Sequence, residues 1–257
     1  MTLLFSSKDV TVKFGGLVAV HALSVNIHAG RITGLIGPNG SGKTTFFNAI
    51  TGLCPLTSGY IALDGKDISG LAPRAVYHVG ITRTFQRSRL CLSLSVFDNV
   101  MVGRQNGLQF GLMENLVRRG RFRLDLVRHH ERVAALLNAF SPDLANRIFH
   151  PLHSLNMIDR RRIEVCRALI AEPKLLLLDE PSAGMTPDET REFMDDILKV
   201  RENNPQMSII IIEHEMEVMR RVAEHCIVLN HGRKVSEGTF EQIVRDPWVQ
   251  EAYLGEA

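Results

Sequence analysis

GPNGSGKT, residues 37–44, decides how this chain is read. It follows the apolar run RITGLI and leads into TTFFNAITGL (44–53), so a glycine-rich loop joins a strand to a helix. The pattern GxxxxGK[ST] requires that context. Glycines let the loop curl until its backbone N–H groups face phosphate oxygens, and the helix N-terminus adds partial positive charge. Lys43 supplies a point charge for the β/γ-phosphates, and the Thr44 hydroxyl is a ligand for Mg²⁺. Gly37, Pro38, Asn39, Gly40, Ser41, Gly42, Lys43, Thr44 and Thr45 are the candidate nucleotide-binding residues. The plainer reading, a glycine-rich turn with a chance lysine, leaves the full match and its placement unexplained.

Further along, LLLLDEP (175–181) reads as a strand buried on both faces, with Asp179 and Glu180 emerging at its C-terminal end. Ligands of α/β sheets bind at that end. Asp179 suits Mg²⁺, and Glu180 can polarise a water for in-line attack on a γ-phosphate. Without the phosphate loop, the same acidic pair would read equally as a turn or a helix cap. Gln86 follows another short apolar stretch, within reach of Mg²⁺ and the attacking water, or is simply a surface side chain. His214 follows SIIIIE and can contact the γ-phosphate, or serves as a helix cap or packing residue.

The remaining pattern is strands alternating with helices, which predicts an α/β protein with a mainly parallel sheet. Residues 3–29 alternate in two stretches, around Val10–Phe14 and Leu23–Ile27, which predicts an antiparallel pair turning near Gly15-Gly16, and TSGYIALDGKDI (57–68) predicts a strand with an Asp-Gly turn. Residues 96–140 have helical periodicity and read as an insertion. Strands follow at 174–179 and 207–212, with helices at 187–201 and 214–223. CIVLNHGRKVSEG (226–238) predicts a closing strand pair with an HG turn, ahead of a short helical tail.

A chain of 257 residues with 45% hydrophobic and 23% charged residues can bury a full core. The formal charge of +2 makes no case for nucleic acid. The four cysteines lack metal-like spacing and read as reduced thiols. No signal-peptide pattern opens the chain, and no apolar run reaches the ~20 residues of a membrane-spanning helix. RRGRFRLDLVRHHER (118–132) carries six arginines. It is either a solvated helix face or a contact for membrane subunits or anionic headgroups.

The order phosphate loop, Gln86, LLLLDEP, IIIEH resembles the ATP-binding cassettes of ABC transporters over essentially the whole chain. The resemblance implies one P-loop ABC-ATPase domain over 1–257. Its core and antiparallel β subdomain would span about 1–90 and 160–240, an inserted helical subdomain about 91–160, and a tail 241–257. Phe14 would stack on adenine. Gln86, Glu180 and His214 would be catalytic, and Thr44, Gln86 and Asp179 would hold Mg²⁺ beside ATP. AGMT (183–186) takes the place of the D-loop, with Thr186 where aspartate is usual.

FGGLVAV (14–20), TRTFQRSRL (82–90), SVFDNVMVG (95–103) and EAYLGEA (251–257) look like the first of two ATPase subunits of branched-chain amino acid importers. The likeness implies a second, different ATPase subunit, two transmembrane permease subunits and an extracytoplasmic substrate-binding protein, and no nucleic acid. It places the chain peripherally on the cytoplasmic face of the inner membrane. Importers of other neutral amino acids, amides or urea have closely similar cassettes. A mainly regulatory nucleotide-binding subunit is the third reading. An ATPase of ribosomes or DNA would ordinarily carry two fused cassettes or a long coiled coil.

LNMIDR (155–160) departs from the family pattern. RRIEVCRAL (161–169) matches the segment that follows the signature motif, LSGGQ or LSYGEQ, which fixes the register. Leu155 keeps its place, Asn156 replaces serine, Met157 occupies the variable position, and Ile158 replaces the final glycine. Asp159 and Arg160 stand for Glu-Gln. Asn156 is also a candidate helix cap, with Asp159 in the first turn. In the family, the serine hydroxyl and glycine N–H meet the γ-phosphate of ATP held by the opposite cassette. Ile158 is therefore expected to set a branched side chain where phosphate approaches. One competent and one impaired ATP site in a heterodimer is the expectation.

Overall fold

The structure, a computed structural model, describes residues 2–86, 88–104 and 119–254. Arg87 of TRTFQRSRL, Arg118 of the basic segment and the last three residues of EAYLGEA lie outside them. The contacts divide the chain into two compact units, Met1–Gln86 with Lys174–Ala183 and Arg201–Ala257, and Arg87–Pro173 with Gly184–Val200. The expected helical segment 91–160 falls in the second unit, which also takes in 161–173 and 184–200.

The first unit contains two sheets. In one, β1 (Leu3–Phe14) pairs antiparallel with β2 (Leu17–His28) and β4 (Ser58–Leu63), and β4 with β5 (Lys66–Asp67). β1 and β2 fill the expected 3–29 region, and β1 runs from its start at Leu3 through the Val10–Phe14 stretch. Asp9 adopts φ 50°, and its N–H donates to Ser24 Oγ (2.8 Å). This bulge breaks the alternation that marks a strand in sequence.

The other sheet has the order β10-β9-β3-β8-β7-β6. It comprises β3 (Ile32–Ile36), β6 (Ile81–Arg83), β7 (Leu175–Asp179), β8 (Ser208–Ile212), β9 (His225–Asn230) and β10 (Arg233–Gly238). Every neighbouring pair is parallel except β9 with β10. The closing strand pair is present as expected, but β9 also extends the parallel sheet beside β3, which a hairpin pattern does not disclose. All residues of β3, β7 and β8 are buried, the reason LLLL and IIII show no alternation. Helices α1 (Lys43–Ile50) and α2 (Pro73–Val79) follow β3 and β5. Phe46, Phe47 and Ile50 of α1 join Phe5, Leu35, Leu177 and Ile212 in one apolar core.

The second unit is helical, with α3 (Val96–Met101), α4 (Arg119–Phe140), α5 (Pro142–Asn146), α6 (Met157–Leu169) and most of α7 (Pro187–Asn203). Ser95 caps α3, its hydroxyl accepting from the Asp98 N–H. Asn156 caps α6 in the same way, accepting from the Asp159 N–H at 2.9 Å. Arg162, buried on α6, donates to Asp196 (2.7 and 2.9 Å) and Glu192 (2.6 Å) of α7 and to Asp159 (3.1 Å). Burial opposes its charge, yet the hydrogen bonds with Glu192 and Asp196 prevail and raise its pKa. Back in the first unit, α8 (Met216–Val222), α9 (Phe240–Val244) and α10 (Pro247–Leu254) complete the chain. Among the described residues no helix is long and apolar enough to cross a membrane.

Arg162→Ala would take from buried Asp196 its two close hydrogen bonds and leave only the longer contact of Lys199 Nζ with Oδ1 (3.4 Å), and breaking a buried pair costs about 3–5 kcal/mol. The exposed Glu192 adds little to that figure. A fall of roughly 6–20 °C in the thermal midpoint is expected for a chain of this size. A midpoint within about 2 °C of the parent would remove the arginine from its structural role.

Candidate functional site

Four parallel strands bring the candidate residues together. β3, β8, β7 and β6 are adjacent, and Gly37, Glu213–His214, Asp179–Glu180 and Gln86 lie at or just beyond their C-terminal ends. The phosphate loop leaves β3 at Gly37, where a Cβ would collide with the Leu229 carbonyl. Gly42 caps α1 at φ 101°, and a Cβ there would stand 2.5 Å from the Ala19 carbonyl oxygen. Only glycine fits both demands. The turn between β9 and β10 secures the loop from outside: the Gly232 N–H donates to the Ser41 carbonyl (3.0 Å), and the His21 N–H to the Gly232 carbonyl (2.8 Å).

Lys43 donates to the Gly37 (2.7 Å) and Pro38 (3.0 Å) carbonyls. Burial lowers its pKa, while Glu180 and Asp179 pull the other way. Asn39, Gly40, Thr44 and Thr45 line a cleft of ≈ 380 Å³, with Phe14 and His231 on its walls. Phe14 is 51% exposed, which places its ring on the cleft and not in the core. His231 is a cleft residue that sequence reasoning missed. Its only signal is the HG turn, where it adopts φ 44°.

Beyond β7 the geometry tightens. Glu180 stands at φ 48°, a left-handed conformation that costs a non-glycine residue about 1–3 kcal/mol. Its N–H donates to the Ile212 carbonyl (2.9 Å), which ties the end of β7 to β8. Both carboxylate oxygens are engaged: Gln86 Nε2 donates to Oε2 at 2.6 Å, and His214 Nε2 lies 2.8 Å from Oε1. Gln86 is therefore neither an idle surface side chain nor remote from the acid. Glu213, a residue the sequence did not single out, accepts from the Ser182 hydroxyl (2.6 Å) and N–H (2.9 Å), fastening the segment before His214 to the one after Glu180. Burial raises the Glu213 pKa.

Asp179 is buried, and burial raises its pKa against the pull of Arg83, whose Nη2 donates to Oδ2 at 2.5 Å. Asp179 Oδ1 and Ser41 Oγ, by contrast, are buried and have no hydrogen-bond partner. An orphaned acceptor beside a phosphate cradle fits a site for Mg²⁺ and phosphate oxygens. Among the described residues no group of three or more His, Cys, Asp or Glu side chains could hold a metal ion.

The residues at the signature position, 155–160, belong to the second unit. Leu155 is buried, Met157 exposed, and Arg160 donates to the His153 carbonyl (3.1 Å). Ile158 corrects the expectation made for it. Only 5% exposed, its side chain packs inward at the start of α6 and presents no steric wall at the surface. At the helix start Met157 faces outward and Ile158 inward. Asp159 accepts from Arg162 (3.1 Å).

Comparison with known proteins identifies the family. Residues 20–183 match the ABC transporter family, and residues 233–257 the branched-chain amino acid ATP-binding cassette transporter family. The chain belongs to the ATP-binding proteins of ABC transporters, which hydrolyse ATP to power transport. Within that class it is 35% identical to the high-affinity branched-chain amino acid transport ATP-binding protein LivG of Escherichia coli, over 99% of this chain and 98% of that protein. It is likewise 35% identical to BraF of Pseudomonas aeruginosa, over 96% of each. The fold superposes on MJ1267, an ATP-binding cassette of an ABC transporter, in its ADP conformation, with a TM-score of 0.84, 25% identity and full coverage of both chains.

Two substitutions test the assignments. Phe14→Ala is expected to weaken ATP binding by about 1–3 kcal/mol, the worth of a base–aromatic stack; an affinity within twofold of the parent would deny the ring that role. Glu180→Gln should leave ATP binding intact while cutting hydrolysis in the assembled transporter ~10²–10³-fold. Turnover at the parent rate would exclude Glu180 from the chemistry.

Proposed function

We propose that this chain is the ATP-hydrolysing subunit of an importer for branched-chain or other neutral amino acids. It would work on the cytoplasmic face of the inner membrane beside a second, different cassette, two permease subunits and an extracytoplasmic binding protein. The observation that carries the catalytic reading is the Glu180 carboxylate, held between Gln86 and His214 beside the phosphate loop. The full-length likeness to LivG and BraF supports the substrate class.

The roles follow from position. Loop N–H groups and Lys43 would bind the phosphates, and Phe14 the base. Thr44 and Asp179, with Gln86, would hold Mg²⁺, which would offset the charge of the phosphates. Glu180 would accept the proton of the attacking water. Its two neighbours fix the carboxylate direction before substrate arrives, so little reorganisation is needed at the moment of reaction.

The two sites of the heterodimer would be unequal. Lys43, Asp179, Glu180 and His214 serve the site on this chain, whose signature comes from the partner. The second site would use this chain's LNMIDR. The serine hydroxyl is missing there, and Asp159 puts a carboxylate in the first turn of α6, where the partner's γ-phosphate would approach. Arg162 offsets part of that charge, and the Asn156 amide can still donate. Impairment, not abolition, is the consequence. In the assembled transporter, Lys43→Ala should remove most hydrolysis, and alanine at the partner's phosphate-loop lysine much less. Equal losses from the two substitutions would sink the asymmetry.

A further inference from the structure

Arg83 has no part in the chemistry above, yet its guanidinium is buried beside the site and bonded to two different elements. Its side chain is 4% exposed. Nη2 donates to Asp179 Oδ2 and Nη1 to Asn48 Oδ1 (2.7 Å). The guanidinium carbon lies 5.4 Å from the centroid of the Phe47 ring and 5.1 Å from that of Phe85. Planar charge, two aromatic neighbours and two directed donors suit arginine, whose fork is rigid. A lysine would keep the charge but not both bonds.

The two oxygens of Asp179 are treated unequally. Oδ2 is committed to the arginine, whereas Oδ1 is buried with no hydrogen-bond partner. Leaving a buried acceptor unsatisfied is costly, and Oδ1, unlike the equally unpartnered donor Arg83 Nε, is an acceptor that a cation would satisfy. Asn48 lies on α1, the helix that begins at the phosphate loop and carries Thr44. Arg83 therefore refers the carboxylate at the end of β7 to the helix bearing the other candidate Mg²⁺ ligand.

We infer that Arg83 is a positioning residue for the metal: it holds Asp179 by one oxygen and to α1 by Asn48, so that Oδ1 is presented to Mg²⁺. The inference rests on the reading of Asp179 as a metal-holding carboxylate. Substituting the outer partners of metal ligands usually costs about 10–100-fold in metal affinity.

The test is ATP binding by the full chain, titrated with Mg²⁺ and repeated in EDTA. Arg83→Lys should raise the Mg²⁺ concentration for half-maximal enhancement about tenfold or more, while metal-free ATP affinity stays within about threefold. In an Asp179→Asn background, Arg83→Lys should add nothing to the change in Mg²⁺ dependence. Parent-like Mg²⁺ dependence of Arg83→Lys, additivity in the double variant, or equal loss of binding with and without metal would each overturn the inference. If Arg83→Lys fails to fold, Asn48→Ala decides, because it frees the guanidinium from α1 and spares the ion pair. A shift of Mg²⁺ dependence in the same direction supports the clamp, and no shift overturns it. Asp179→Asn alone separates the two readings: unaltered Mg²⁺ dependence there would bring down the metal role of Asp179 and the inference with it.

Discussion

Complete burial of three neighbouring parallel strands is the constraint from which the site follows. β3, β7 and β8 have water on neither face, so few charged side chains can be accommodated along them. Polar groups concentrate where the strands end. Because β3, β8 and β7 lie side by side in parallel, their ends share one edge, and Gly37, His214 and Glu180 arrive there together. The convergence needs no device beyond strand direction. Small local devices then set the angles: glycines that let the loop approach β2 and β9, and a left-handed turn that swings Glu180 out of the strand line.

The same physics explains what could be read in advance. Runs such as LLLL and IIII, punctuated by glycine or an acidic pair, announce buried strands and their functional ends in one glance. The phosphate loop, Asp179, Glu180 and the neighbourhood of Gln86 and His214 were legible because the local pattern is also the chemistry. What stayed hidden was relational. Nothing in CIVLNHG says that β9 lies parallel to β3, or that its turn steadies a loop some 190 residues earlier. Arg83 and Glu213 act through partners brought in by topology, and so have no local signature. The opposite error occurred at Ile158, where alignment to a motif predicted an outward side chain and the first turn of α6 directs it inward.

Charge in this corner is balanced pair by pair. Lys43 feels Asp179 and Glu180, Arg83 answers Asp179, and Ser182 satisfies Glu213. Such a network is costly to build in low dielectric, and a half-satisfied one is costlier than none. Asp179 Oδ1 and Ser41 Oγ, unmatched like Arg83 Nε, are the unmatched oxygens beside the phosphate loop. They mark the points at which the protein alone does not complete the arrangement.

The capping of α6 by Asn156 and the burial of Ile158 bear on how this cassette could change over time. Serine and asparagine rank alike as helix caps, so a return to serine at position 156 would meet no obstacle from folding. Position 158 is different. Exchanging a buried isoleucine for glycine would open a cavity and loosen the helix start, a loss of several kcal/mol. The first position is open to exchange, while the second is locked by packing. Glycine at 158 would be accommodated only if neighbouring residues were repacked at the same time.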